Sequence, residues 1–143
     1  MHKQAIKGEL FEWRESASGR LAEIIVLDQF SRNISRDTAK AFSSDLLALV
    51  LAQEAVSLDI HHQLNQLERS FMYMPYMHSE TLSVHDIAVE LYKSNGIQSN
   101  VEFETKHRDI IKRFGRYPHR NVILNRQSTK EEIAFLNQPG SSF

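Results

Sequence analysis

Two ionisable side chains lie on helix faces that are otherwise apolar, and the first is Asp28. It follows Ile24 by four positions and Ile25 by three, so a helix carries its carboxylate on the apolar face. Arg32, four residues further on, is placed to pair with it. Such a pair can fix the orientation of a helix, or its carboxylate can hold a histidine ready for proton transfer. Both interpretations stay open.

The second of these side chains is His107. It belongs to an apolar stripe with helical spacing, whose members are Phe103, His107, Ile110, Ile111 and Phe114. A lone histidine in such a stripe is usually a hydrogen-bonded core residue, but a neutral imidazole beside an aspartate is also the arrangement of a general base. The sequence therefore predicts that His107 points toward the interior, with two alternative roles.

The segment from Tyr73 to Glu80 combines aromatic and thioether side chains with His78 and Glu80. The His-x-Glu pair is superficially similar to that of zinc deaminases, but the chain has no Cys to supply the remaining ligands. Together with His107 and His119, these two residues could supply metal ligands. Their spacing matches no known ligand pattern, so we predict no metal site and no cofactor.

Positive charge is concentrated between residues 106 and 126, which contain seven Lys or Arg residues and one acid. Five of the seven are arginines, whose planar guanidinium binds carboxylate or phosphate through paired hydrogen bonds. Pro118 stiffens the loop from Gly115 to Asn121. The segment predicts a pocket for a phosphate, nucleotide or carboxylate, unless its arginines pair with acids of the same domain. The net charge of -1 argues against nucleic acid.

The composition of the 143 residues indicates one soluble globular domain, residues 1–143, with an irregular tail over residues 137–143. The absence of Cys excludes disulfides and thiolate metal sites. The longest apolar run, Leu46 to Ala52, is too short to cross a membrane, and the first residues lack the apolar stretch of a signal peptide. We therefore expect a cytoplasmic location and no membrane partner. No phosphate loop, nucleophile elbow, His-Glu-x-x-His or calcium loop occurs.

Helical periodicity and the small number of Gly and Pro residues predict an all-α fold of about six or seven helices, stacked as antiparallel hairpins. Gly96 and Gly115 suit the left-handed residue that ends a helix. Pro75 is expected to end a helix that starts near Gln63. Three serines, each followed three positions later by an acid, predict capped helix starts; they are Ser83, Ser99 and Ser128.

Three blocks of the sequence carry a resemblance to a known family. They are LAEIIVLDQFSRN (residues 21–33), YMPYMHSE (73–80) and HRDIIKRFGRYPHRN (107–121). Together they resemble DUF 924, a bacterial family of unknown function, over nearly the whole chain from about residue 8 to residue 136. The resemblance implies an all-helical fold similar to the tetratricopeptide-like superhelices, and it implies no activity.

The resemblance also indicates a difference from the family. Its members begin with a further helical segment ahead of the part that is similar to residues 7–13, so this chain resembles a member that is shortened at its N-terminus. In stacked helices each unit covers the apolar face of its neighbour. A missing unit predicts an exposed apolar patch and a homodimer formed through it.

These features predict a binding or scaffold module whose arginine-rich groove holds an anionic small molecule or an acidic peptide. The predicted ligand-binding residues are Arg32, Asn33, Glu80, Arg116, Arg120, Asn121 and Arg126. The alternative is an enzyme that acts on an anionic small molecule by acid–base chemistry. Its predicted catalytic residues are Asp28, His78, His107 and His119.

Overall fold

The structure is a computed structural model that describes residues 1–143, and it is helical without any strand. The α-helices are α1 (His2–Ile6), α2 (Ala17–Ile25), α3 (Ser31–Ile34), α4 (Asp45–Ser57), α5 (Gln66–Met72), α6 (Met74–Met77), α7 (Leu82–Asn95), α8 (Gln98–Phe114) and α9 (Lys130–Leu136). Short 3₁₀-helices lie between them at Phe11–Glu15, Ala39–Phe42, Ile60–Gln63 and Pro118–Arg120. The predicted all-α fold class is confirmed, and the tetratricopeptide-like superhelix stays a prediction.

A π-helical turn joins α2 to α3. The turn comprises Val26–Phe30, and its first three residues, which include Asp28, are buried. A π turn widens the helix locally, and such turns occur frequently at functional sites. Asp28 therefore lies in an irregular turn of a buried helical segment.

Glycines end the two longest helices. Gly96 follows α7 with a φ of 85°, and Gly115 follows α8 with a φ of 72°. This left-handed backbone conformation disfavours residues with a side chain, which explains why glycine occupies both positions. Both predicted helix ends are confirmed, and the turn at Gly96 lets α8 pack back against α7.

The predicted helix starts are wrong in detail. The capping box of α9 is formed by Thr129, one residue later than Ser128. Ser83 and Ser99 cap no helix, because α7 and α8 already begin before them. Pro75 does not end a helix but lies in the first turn of α6, where a missing N–H costs no helical hydrogen bond.

The apolar core has two parts. The larger part contains 18 buried apolar residues, including Leu27, Met72 and Tyr92, and it lies mainly among α2, α4, α5, α6 and α7. The smaller part consists of Ile110, Ile111 and Tyr117. It holds the loop after Gly115 against α8, and this contact positions the residues of the loop for the site described below.

None of the helices combines the length and the apolar character that crossing a membrane requires. Large apolar side chains, including Phe11 and Ile34, are exposed in the first part of the chain. Self-association through such residues stays a prediction, as does the single-domain organisation.

Candidate functional site

A cavity of about 710 Å³ brings together residues from distant parts of the chain. A volume of this size is typical of sites for small molecules. Among the predicted site residues, the cavity collects Arg32, Asn33, His78, His107, His119 and Arg120. The other lining residues are Arg36, Asp37, Ala41, Phe42, Met74, Met77, Phe103, Ile123, Ser142 and Phe143.

Asp28 lies behind the cavity wall and holds the imidazole of His78. The distance from His78 Nδ1 to Asp28 Oδ1 is 2.7 Å, and Arg32 Nη1 donates to the same oxygen at 3.0 Å. Burial alone would raise the pKa of Asp28, but the charges and hydrogen bonds of His78, Arg32 and Gln29 lower it below its usual value. Because a carboxylate only accepts hydrogen bonds, Nδ1 is the donor. His78 lines the cavity, and its Nε2 makes no hydrogen bond within the protein.

Arg32 connects this pair to a second carboxylate. Besides its contact with Asp28, the Arg32 guanidinium donates two hydrogen bonds to Asp45, at 2.8 and 3.0 Å. The pairing of Arg32 with Asp28 was predicted from their spacing and is present. Arg32 is thus a fixed cation in the wall of the cavity.

Arg120 is buried with an incomplete set of partners. Its guanidinium carbon lies 4.5 Å from the ring centroid of Phe42 and 4.7 Å from that of Tyr117. Nη2 donates to the carbonyl oxygen of His78 at 2.9 Å, Nε has no partner, and the nearest carboxylate oxygen, from Asp45, is 3.8 Å from Nη1. Burial lowers the pKa of Arg120. The cavity wall therefore contains a buried cation whose donors are not all used.

Two further histidines give the cavity an uncharged aromatic region. Burial lowers the pKa of His107 to about 4, and burial together with the charge of Arg120 lowers that of His119 to about 4. His107 Nδ1 donates to the carbonyl oxygen of Phe103 at 2.6 Å. The ring centroid of Phe143 lies 3.8 Å from that of His107 and 4.5 Å from that of His119. Both imidazoles are consequently neutral at pH 7, and they pack against other rings in tilted and edge-to-face contacts.

Four predicted ligand-binding residues lie outside the cavity: Arg116, Asn121, Arg126 and, as described below, Glu80. Arg116 donates to both carboxylate oxygens of Glu132, at 2.9 and 2.8 Å, and Arg126 does the same to Glu80, at 2.8 and 2.9 Å. Asn121 is buried and donates to Glu132 at 3.1 Å. The hydrogen bonds from Arg116 lower the pKa of Glu132 to about 2. For Arg116 and Arg126 the structure contains the alternative predicted from the sequence, pairing with acids of the same domain.

A smaller cavity of about 390 Å³ adjoins the first. The two share Phe42, His78 and Arg120, and the smaller one adds Asp45 and Glu80 to its lining. Glu80, a predicted ligand-binding residue, therefore faces this second space, with both of its oxygens already paired. The two acids nearest to Arg120, Asp45 and Glu80, therefore line the smaller cavity.

A second histidine–carboxylate pair was not predicted from the sequence. His85 and Glu104 are hydrogen bonded through His85 Nδ1, and both side chains are fully buried. His85 Nε2 lies 2.7 Å from the carbonyl oxygen of Ser79 and 3.1 Å from the hydroxyl of Tyr117. Burial raises the pKa of Glu104 more than its contacts with His85 lower it. The sequence did indicate that Glu104 is buried, because it precedes His107 by three positions and lies on the same helix face.

The histidines of the cavity do not form a compact metal-ligating group. A group of three such side chains with ligand atoms within 4.8 Å of one another occurs instead at Asp59, His61 and His62. These residues do not line the cavity, and Asp59 and His62 are exposed. The groups that the cavity presents to a ligand are therefore mainly cations, imidazoles and aromatic rings.

The chain is an all-α protein, and its fold is similar to that of a solved structure, the protein of unknown function ATU0120 from Agrobacterium tumefaciens. The two chains are 38% identical with a TM-score of 0.90, and the similarity covers 95% of this chain and 77% of that one. No curated protein matches the sequence. The sequence model of the bacterial proteins of unknown function DUF924 matches residues 1–140. The chain belongs to this family, which confirms the resemblance found in the sequence.

Proposed function

We propose that this protein binds a small anionic molecule in the 710 Å³ cavity, with Arg120 and Arg32 as the main donors. The observation that carries the proposal is the environment of Arg120. Its side chain is 6% exposed and makes a single hydrogen bond. A buried donor without a partner costs about 1–3 kcal/mol. An anion bound at this wall balances the buried charge of Arg120, which has no carboxylate within hydrogen-bond distance.

The charges that face the cavity support the same conclusion. Arg32, Arg36 and Arg120 line it, and Asp37 is the acid among the lining residues. The carboxylates that pair with the arginines lie behind the wall or in the smaller cavity. A concave surface with a net positive charge attracts anions, and the guanidinium fork matches carboxylate or phosphate.

The size of the cavity favours a small molecule over an acidic peptide. About 710 Å³ lies within the range of roughly 300–1,000 Å³ that small-molecule sites occupy. The acidic peptide and the homodimer remain predictions from the sequence, and so does the cytoplasmic location.

Thermal unfolding with added phosphate, sulfate, a dicarboxylate and a nucleoside monophosphate tests the proposal. A ligand at 100 times its Kd adds about 2.7 kcal/mol to the free energy of unfolding. We expect at least one anion to raise the Tm, and we expect Arg120→Gln to abolish this rise. Arg32→Gln provides a second variant if Arg120→Gln fails to fold.

Arg108→Gln is the matched control. It removes the same charge from a surface pair with Asp86, outside the cavity, and it should keep the full response. The proposal is wrong if no anion stabilises the unaltered protein, or if Arg108→Gln loses as much of the response as the two cavity variants.

A second candidate function is acid–base catalysis on an anionic substrate, and the Asp28–His78 hydrogen bond favours it. The 2.7 Å contact fixes the imidazole through Nδ1, which leaves Nε2 to accept or deliver a proton. Asp28 stabilises the imidazolium that forms when Nε2 accepts a proton. In this function Arg32 and Arg120 hold the anionic part of the substrate.

Hydrolysis of p-nitrophenyl phosphate and p-nitrophenyl carboxylates tests this second function. We expect His78→Gln to lower the rate by about 10²–10⁴-fold while it keeps the anion-induced rise in Tm. Asp28→Asn should lower the rate as well, because it weakens the orientation of the imidazole. Absence of turnover by the unaltered protein across the panel, or full turnover by His78→Gln, excludes this function.

A further inference from the structure

The aromatic region of the cavity is incompletely covered by the protein. Phe103 and Phe143 both line the cavity, and they are 55% and 50% exposed. Next to them, His107 and His119 present imidazoles that are uncharged at pH 7. Two half-exposed phenyl rings beside neutral rings form an apolar surface that an apolar group would cover favourably.

This region lies close to the cationic wall. The ring of Tyr117 is in contact with both, because its centroid is 4.7 Å from the guanidinium carbon of Arg120 and 5.2 Å from the centroid of Phe143. His119 and Arg120 are also neighbours in the chain. One small molecule can therefore touch the cation and the aromatic surface at once.

On the premise of the anion site proposed above, we infer that its ligand is an aromatic anion, a planar ring that carries a carboxylate or phosphate group. The charged group binds at Arg120, and the ring packs against Phe103 and Phe143. A bare inorganic ion leaves the aromatic region facing water, and an uncharged ring leaves Arg120 without its partner. A flat ring suits this surface because it can make the tilted and edge-to-face contacts that Phe143 already makes with His107 and His119.

Calorimetric titration at pH 7.5 with a matched series of ligands tests the inference. The phosphate series is inorganic phosphate, phenyl phosphate, cyclohexyl phosphate and phenol. In the carboxylate series, acetate, benzoate and cyclohexanecarboxylate take the place of the three phosphates, and phenol again serves as the uncharged compound. We expect the aryl member of at least one series to bind about tenfold tighter than the bare anion and tighter than the cyclohexyl member, while phenol does not bind.

The outcomes separate the inference from the function on which it rests. If a bare anion binds but its aryl derivative binds no tighter, or the cyclohexyl member binds as well as the aryl member, the inference falls and the anion site stands. If no anion of either series binds, the anion site falls too. Phenol that binds as tightly as phenyl phosphate also overturns both, because the charge is then irrelevant.

Truncation of the aromatic side chains locates the ring. Phe103→Ala and Phe143→Ala should weaken the binding of the preferred aryl anion several-fold and leave that of the bare anion unchanged. Both side chains are half exposed, so these variants should fold. Phe11→Ala, which truncates an exposed phenyl ring outside the cavity, should change neither affinity. Equal losses for the bare and the aryl anion in the two cavity variants overturn the inference.

Discussion

Two histidine–carboxylate pairs occur in this protein, and they differ in what surrounds them. His78 is hydrogen bonded to Asp28 at the cavity, and His85 is hydrogen bonded to Glu104 in the interior. The His78 side chain is 13% exposed, whereas both members of the inner pair are fully buried. The residue types are equivalent, but one imidazole is open to a ligand and the other is closed.

The difference in access comes from the second nitrogen of each imidazole. His85 Nε2 is enclosed by the Ser79 carbonyl and the Tyr117 hydroxyl. His78 Nε2 makes no hydrogen bond within the protein. We therefore expect the inner pair to have a structural role and the pair at the cavity to take part in the proposed chemistry.

The largest effect is expected from removing the inner imidazole. His85→Ala leaves Glu104, whose other oxygen already lacks a partner, buried without its hydrogen bond and creates a void. We expect it to lower the free energy of unfolding by about 3–5 kcal/mol. Urea unfolding at pH 7 measures the loss. A loss below about 1 kcal/mol means that the inner pair is not a structural element.

A third histidine extends the comparison, because His107 shares the cavity with His78 but is bonded to a backbone carbonyl instead of a carboxylate. Burial lowers its pKa from 6.5 to about 4. The unfolded chain binds this proton near pH 6.5 and the folded chain only near pH 4, so acidification through that window favours unfolding. We expect His107 to cost roughly 3 kcal/mol of stability between pH 7 and pH 4.

Urea unfolding at intervals between these two pH values measures this cost. His107→Asn keeps a donor for the Phe103 carbonyl and does not titrate, so its stability should fall less steeply. His119, with a similarly lowered pKa, should preserve part of the slope. Identical slopes for the variant and the unaltered protein contradict the neutral, buried state of His107.

A smaller loss of stability is expected from the pair at the cavity. His78→Ala removes one hydrogen bond from Asp28, which keeps Arg32 and Gln29 as partners, and water can enter the vacated space. We expect a loss of about 1 kcal/mol in the same urea experiment. If His78→Ala destabilises the protein as much as His85→Ala, the distinction between the two pairs is wrong.

The pKa values of the carboxylates in the two pairs should be shifted in opposite directions. Carbon-13 NMR should place the pKa of Asp28 below the ordinary aspartate value and that of Glu104 above the ordinary glutamate value. Asp28 then stabilises the fold above its ordinary pKa, and this stabilisation is lost as the pH falls through its lowered pKa. For Glu104 the contribution is present at low pH and is lost as the pH rises through its raised pKa. Shifts of both pKa values in the same direction would contradict this difference between the two pairs.

The fold was predictable where its signals are local. Helical periodicity and the scarcity of Gly and Pro indicated the all-α class, and Gly96 and Gly115 marked two helix ends. The π turn around Asp28 was not predicted, because its sequence is that of an ordinary apolar helix. Pro75 was misread because a proline is tolerated in the first turn of a new helix.

The site was predictable only in part, because only some of its contacts are local in the sequence. The Asp28–Arg32 contact spans four residues of one helix, whereas the Asp28–His78 contact joins residues 50 positions apart and depends on packing. Arg116 and Arg120 look equivalent in the sequence, but only Arg116 meets an acid of α9. Nothing in the sequence predicts that Phe143 lines the cavity, because its position there depends on how the last residues fold back.

The most direct measurement of the central claim is a nitrogen-15 NMR titration of the arginine Nε–H groups with inorganic phosphate, with phenyl phosphate as a second titrant. The Nε–H of Arg120 is buried and unpartnered, whereas those of Arg116 and Arg126 donate to Glu132 and Asn121. We predict a saturable shift of the Arg120 resonance while the other two stay in place. No shift at Arg120, or equal shifts at all three, would contradict anion binding at the cavity wall.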